Sequence, residues 1–272
     1  MDSARPRKHL RLRRADSCSA CGRQLAMGDE ALWDRSSRTV TCLACASGKL
    51  PINPGEAGAS ALREYERRRQ RREQHARKKL GALGWLLARV IAEPQSTVVW
   101  RQGARGEARV GQRLAKHLDG RGVRLLHDRR IPQHGRANID HLAIGPGGVT
   151  VIDTKTHRGK VSVERVGGLF KPRRTILRIA GRDQTRLIVG VEHQIEFVRD
   201  ALSRGGFRDI DVRGALCFAD GKGLPLLAKL SARDIAIDGP RSVAKLARRP
   251  GQLSPDSVDR IWTELARSFP SA

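Results

Sequence analysis

Apolar positions in this chain recur with a helical period in two places and with a strand period between them. From Ala104 to Leu118, Val110, Leu114 and Leu118 fall four apart on one helix face, and Glu107 projects from that same face three residues before Val110. A second helix is predicted from Thr185 to Leu202, with Leu187, Val191, Ile195, Val198 and Leu202 as its core stripe. Between them, β-rich runs ending at Ile144 and beginning at Val149 flank Gly145-Pro146-Gly147-Gly148, which reads as an antiparallel hairpin. Further strands are predicted at Val123–His127, Lys160–Val163, Thr175–Ile179 and Val212–Ala219, and a closing helix at Pro255–Phe269. This order predicts an α/β (α+β) domain over residues 98–272, a mixed sheet flanked by helices.

The N-terminal part follows other rules. Residues 1–14 are basic and are predicted to be a disordered arm, followed by a cysteine-bearing module at 15–48. Residues 49–97 should join the two parts: a Pro/Gly/Ala-rich linker from Pro51 to Ser60, a basic stretch and an apolar stretch. Ala61 to Lys79 holds nine Lys/Arg and three Glu with no proline, so it predicts a solvated helix that either spaces the parts or tracks phosphates. Leu80 to Ala92 is apolar nearly all round; docking on the C-terminal domain is expected, with dimerisation or a membrane surface as alternatives.

The net charge of +25, from 53 Lys+Arg against 28 Asp+Glu, favours a polyanionic partner, nucleic acid above all. Met1 to Arg14 lacks the apolar run of a signal peptide, and Leu80–Ala92 is too short to span a bilayer, so a cytoplasmic protein is expected, with nucleoid association as the alternative. No Gly-x-Ser-x-Gly elbow and no phosphate-binding glycine loop supports a serine hydrolase or an NTPase.

Cys18-x2-Cys21 and Cys42-x2-Cys45 are two knuckles separated by twenty residues, the spacing of a four-thiolate zinc ribbon. Four thiolates would close the coordination sphere, so this Zn²⁺ would build the module without catalysing. An iron centre or a redox pair is the alternative. Cys217 lies in a buried strand pattern and reads as a core residue.

The hairpin carries the chemistry. With Pro146-Gly147 as its tip, Asp140 falls opposite Asp153, and Lys155 lies on the same face. Facing carboxylates destabilise a sheet unless a cation or a shared proton relieves them. A divalent ion with a lysine beside it would suit phosphodiester cleavage; strand-end acids pairing with nearby arginines are the plainer alternative. His141 points to the opposite face and reads as a supporting or structural residue.

Gly103-Ala104-Arg105-Gly106-Glu107, His127-Asp128-Arg129-Arg130-Ile131-Pro132, Asn138-Ile139-Asp140-His141-Leu142 and Val151-Ile152-Asp153-Thr154-Lys155 occur in order and resemble a NERD (nuclease-related) domain. That family belongs to the PD-(D/E)XK nuclease superfamily. The resemblance spans roughly residues 100–220 and implies a restriction-endonuclease-like fold with Glu107, Asp140, Asp153 and Lys155 as its site. It also implies Mg²⁺ or Mn²⁺ at Asp140 and Asp153, and makes Gln194 a possible further site residue. Asp153 stands where NERD domains often carry Glu. The expected activity is hydrolysis of DNA with little sequence preference. The rival readings are a silent nucleic-acid-binding module and a scaffold that recruits a protein partner through the zinc ribbon.

Overall fold

The computed structural model describes residues 8–20, 22–47, 52–90, 95–132, 137–157, 159–168, 171–225 and 229–272; of 79–90, 95–97 and 171–173 it describes the backbone alone. The N-terminal module comprises β1 (Lys8–Arg11), β2 (Asp16–Ser17), β3 (Gln24–Leu25), β4 (Glu30–Asp34), β5 (Thr39–Cys42) and the short helix α1 (Leu43–Ala46). The expectation of a disordered arm does not hold over Lys8–Arg11, because β1 pairs antiparallel with β4 and extends the sheet β1-β4-β5. The missed signal was Leu10 and Leu12, which pack into the module's apolar cluster beside Leu25, Ala31 and Val40. Alternate positions His9 and Arg11 reach Glu30 from the exposed side.

Two helices lead into the main domain, α2 (Ala59–Val90) and α3 (Gln95–Leu118). The basic stretch and the following apolar stretch thus form one continuous helix up to Val90. Ala, Arg, Glu and Gln favour it intrinsically, and Glu64–Arg68 and Arg69–Glu73 pair at helical spacing. The expectation of a fully solvated helix fails in its first turns. Ala61 and Tyr65 are buried, and the guanidinium of Arg68 lies over Trp100 of α3 while that of Arg101 lies over Tyr65. The expected docking of Leu80–Ala92 concerns side chains outside the described residues.

The core is a six-stranded sheet ordered β13-β14-β12-β8-β7-β6, formed by β6 (Arg124–Arg130), β7 (Asn138–Gly145), β8 (Gly148–Lys155), β12 (Val212–Phe218), β13 (Leu230–Ala232) and β14 (Ile235–Asp238). β6, β7 and β8 run antiparallel, whereas β12 pairs parallel with both β8 and β14, so the sheet is mixed as expected. A separate three-stranded sheet is made by β9 (Val161–Gly168), β10 (Lys171–Ile179) and β11 (Arg182–Asp183).

One face of the main sheet is covered by α3 and by α5 (Pro240–Ala247), around Val110, Leu114, Ile152, Cys217 and Val243. The other face is covered by α4 (Arg186–Arg204) and α6 (Pro255–Ser268), around Leu142, Val151, Val198, Leu216 and Ile261. The α4 stripe is as read from sequence except that Ile188, not its neighbour Leu187, is the fully buried residue of the first turn. α6 starts cleanly because the Ser254 hydroxyl accepts from the Ser257 amide and Pro255 needs no partner for its nitrogen.

Residues 52–58, expected as a linker, are a strap laid along β6. The Asn53 amide donates to the Ala20 carbonyl, and the His127 amide donates to the Pro54 carbonyl. At the end of the strap, Asp128 accepts from the Ser60 hydroxyl at 2.7 Å and from its amide, capping the first turn of α2. The fully buried Arg129 locks the other side, donating to the carbonyls of Asn53 (3.1 Å), Ala266 (2.7 Å) and Phe269 (2.7 Å).

Candidate metal and nuclease site

Hairpin register is what the turn chemistry predicts: Gly145 pairs Gly148, Ile144 pairs Val149, and the ladder continues to His141 opposite Ile152. There it ends. At the next step the backbone pairing is replaced by a side-chain bond, with the Asp140 carboxylate accepting the Thr154 N–H at 2.7 Å. Asp140 and Asp153 therefore share the open end of the hairpin. Lys155 reaches back to Asp153 with Nζ 2.5 Å from Oδ2.

Glu107 comes to the same place from α3. Two glycines on either side of it set the approach of the helix. A Cβ on Gly106 would lie 2.1 Å from Thr156 Cγ2, just beyond β8, and a Cβ on Gly111 would lie 2.6 Å from Ala57 Cβ of the strap. Larger residues at either position would lift α3 off the sheet and carry Glu107 with it.

The electrostatics show how crowded this end is. Burial, together with the fields of Asp140, Asp128 and Asp153, pushes the Glu107 carboxyl up to about 9, with Lys155 opposing. Asp140 is pushed up to about 7 by burial and by Asp153, against relief from Lys155 and the Thr154 amide. Burial alone would draw the Lys155 ammonium down, but the summed fields of Asp153, Asp140 and Glu107 outweigh it and hold it above its ordinary value. With three carboxyl groups and one ammonium, the metal-free site relieves its crowding by keeping Glu107 protonated at neutral pH. Among the described residues no three carboxylate ligands lie within 4.8 Å of one another, so Glu107, Asp140 and Asp153 form a broader cradle than a single tight cage. Hard oxygen donors with excess negative charge fit a small divalent cation.

His141 lies on the opposite face of the strand, as its alternation predicts, and is completely buried. Its Nδ1 meets Nδ1 of His127 at 2.8 Å and its Nε2 meets the Thr154 hydroxyl at 3.1 Å. Burial holds His127 down to about 4 and His141 well below its ordinary value, so both rings are neutral near neutral pH. Gln194, on α4, sits beside the start of β7 with Nε2 3.4 Å from the Asn138 carbonyl; its Oε1 is buried without a partner among the described residues.

Sequence reasoning missed Asp128, which is buried at φ +47° and accepts from Asn138 Nδ2 at 2.8 Å in addition to capping α2. An aspartate inside an otherwise strand-like run, a poor strand residue that tolerates left-handed backbone, was the available signal. A cleft is lined by His157, Gly159, Asp220 and Lys222. His157 there is held down by burial and by Lys155 and Arg186, with Asp153 opposing, which places that cleft within the electrostatic reach of the hairpin end.

In the N-terminal module, Cys18, Cys42 and Cys45 are buried and their sulfur atoms lie within 4.8 Å of one another. The Cys42 amide donates to Cys18 Sγ (3.3 Å) and the Cys45 amide to Cys42 Sγ (3.4 Å). The cluster is a possible metal site with soft donors; Cys21, the expected fourth member, lies outside the described residues. Cys217 is core, as expected, and burial pushes its thiol well up.

Residues 102–219 match the family model of the nuclease-related domain, NERD. This match supports a nuclease-related domain over that segment and covers every residue of the acid cluster. No curated protein and no solved structure matches the chain. Among the described residues, no helix is long and apolar enough to cross a membrane.

Proposed function

We propose that the chain is a metal-dependent nuclease that hydrolyses DNA phosphodiester bonds with little sequence preference. The observation that carries this reading is the crowding of Glu107, Asp140 and Asp153 around the single ammonium of Lys155. Asp140 and Asp153 would hold Mg²⁺ or Mn²⁺, with Glu107 completing its surroundings. The ion would supply charge neutralisation and Lewis acidity at the phosphate.

The remaining work falls to the chain's own groups. Lys155, fixed by Asp153, orients the attacking water and steadies charge on the phosphate oxygens as the P–O bond to the leaving alcohol breaks. Gln194 lies close enough to β7 to contact substrate or to fix the strand that carries Asp140. Lys222, Arg186 and the exposed cations of α2 grip the backbone on either side, which gives affinity without sequence choice. Zn²⁺ held by Cys18, Cys42 and Cys45, with Cys21 as fourth thiolate, would build the N-terminal module and present it to nucleic acid or to a protein partner. Thiolates of this kind persist in the reducing cytoplasm, where we place the protein.

The test is cleavage of supercoiled plasmid and of labelled single-stranded DNA and RNA with Mg²⁺, with Mn²⁺ or with neither. Native protein is compared with Asp153→Ala and Lys155→Ala proteins of verified fold. Metal-dependent cutting lost in both variants is the expected result. No cutting of any substrate, with DNA binding unchanged in the variants, would replace the nuclease by a binding module.

A further inference from the structure

The β7–β8 ladder has already ended at Asp140, so although β6 still pairs with its neighbours Ile139 and His141, no backbone pairing ties it to β8. What remains is the Thr154 N–H on its carboxylate, and Thr154 is itself held from behind. Its hydroxyl, on the face away from the acids, bonds His141 Nε2, and His141 Nδ1 bonds His127 Nδ1. The His127 backbone N–H is in turn bonded to the strap at Pro54. The two rings meet edge to face, 5.0 Å between centroids. Gly111 of α3 covers them closely: a Cβ there would lie 3.6 Å from His141 Cε1 and 3.7 Å from His127 Cε1.

We propose that His127, His141 and Thr154 form a positioning line that replaces the missing ladder step and sets Asp140 for its cation, a role that rests on the metal-site reading above. One proton lies between the two Nδ1 atoms, and either assignment leaves His141 Nε2 able to bond a hydroxyl, which donates or accepts as required. The line therefore needs no charge on either ring. Its outer end is fixed to the strap and its inner end to the backbone that Asp140 grips. Groups that orient ligand-bearing residues in this way typically change metal affinity by about ten- to a hundredfold when removed.

The experiment uses the full chain with Thr154→Val, which keeps shape and amide but loses the hydroxyl, and Thr154→Ser, which keeps the hydroxyl. His127→Leu cuts the line at its far end. The readouts are Mn²⁺ affinity by calorimetry, kcat and KM on plasmid DNA, and hydrogen exchange of the residue-154 amide without added Mn²⁺. The expected result for Thr154→Val is about tenfold weaker Mn²⁺ binding, a lower kcat at unchanged KM, and faster amide exchange. Thr154→Ser should restore all three. His127→Leu should act in the same direction and add little to Thr154→Val, because both interrupt one line.

Native Mn²⁺ affinity and native amide protection in Thr154→Val would overturn the proposal. If native protein binds no Mn²⁺ and cuts nothing, the nuclease reading fails on its own account. The amide exchange then still decides: unchanged protection at residue 154 removes the positioning line, and faster exchange supports it.

Discussion

Replacing Asp140 by Asn should make the metal-free protein more stable while removing its response to divalent ions. Asn is nearly isosteric and its oxygen can still accept the Thr154 N–H, so packing and that bond survive. What disappears is a charge that burial and Asp153 disfavour, raising its carboxyl from 3.8 to about 7. At about 1.4 kcal/mol per unit of displacement, the ceiling on the gain is about 4 kcal/mol, and water entering this half-buried end lowers the expected gain to about 2 kcal/mol. Because the folded carboxyl is raised, the cost is absent below the unfolded value, grows between 3.8 and about 7, and is complete above it.

Urea denaturation should therefore show Asp140→Asn more stable than native at about pH 8, with the advantage shrinking towards about pH 5. No chelator is used, so that the cysteine site is not stripped. Added Mg²⁺ at ten times its dissociation constant should stabilise native protein by about 1.4 kcal/mol and leave the variant unmoved. A variant less stable than native at the higher pH, or one equally stabilised by Mg²⁺, would refute the reasoning.

Other perturbations test the surroundings of the site. Burial, with Arg129 adding and Asp128 opposing, lowers the folded value of His127 from 6.5 to about 4, so its neutral form contributes stability above 6.5 that is lost as pH falls towards 4. In urea titrations the advantage of native protein over His127→Gln should accordingly shrink by about 2 kcal/mol between about pH 7.5 and about pH 5. Arg129→Met leaves the carbonyls of Asn53, Ala266 and Phe269 without their donor and should cost about 3–5 kcal/mol in the same assay. On the zinc reading proposed above, Cys42→Ser should release the ion, detected with a colorimetric chelator, and increase proteolysis within residues 8–47. It should also loosen the strap, because the Ala20 carbonyl that accepts from Asn53 belongs to the Cys18 knuckle.

How much of this was legible in the chain depends on the range of the interactions. The hairpin register follows from a Gly-Pro-Gly-Gly turn and period-two alternation, both local, so Asp140, Asp153 and Lys155 could be brought to one end before any coordinates. α3 and α4 were legible from their apolar stripes, whereas α5, eight residues long, and β13, three, are too short to show a period. The strap was misread because glycine, proline and alanine suggest a free linker. Its order comes from partners far away in sequence: Ala20 on one side, His127 and Arg129 on the other. β1 was misread because basic residues alternate there with leucines whose partners lie across the module.

The same separation bears on the choice between an enzyme and a fold that only binds nucleic acid. Binding a polyanion calls for cations, which α2, the cleft residue Lys222 and the exposed Arg186 supply without help from Glu107, Asp140 or Asp153. Glu107, Asp140 and Asp153 add nothing to that attraction. In the metal-free protein burial, reinforced by their mutual repulsion, pushes Glu107 up to about 9 and Asp140 up to about 7. A pure binding module would bind more tightly and fold more stably with Asn or Gln at these positions. Only a bound cation turns the cluster from a liability into an advantage. The glycines that let α3 approach and the buried histidine pair behind Thr154 both hold that cluster together. The fold thus spends local stability on a cluster of acids in a chain of net charge +25, the arrangement expected of the metal-dependent nuclease proposed above.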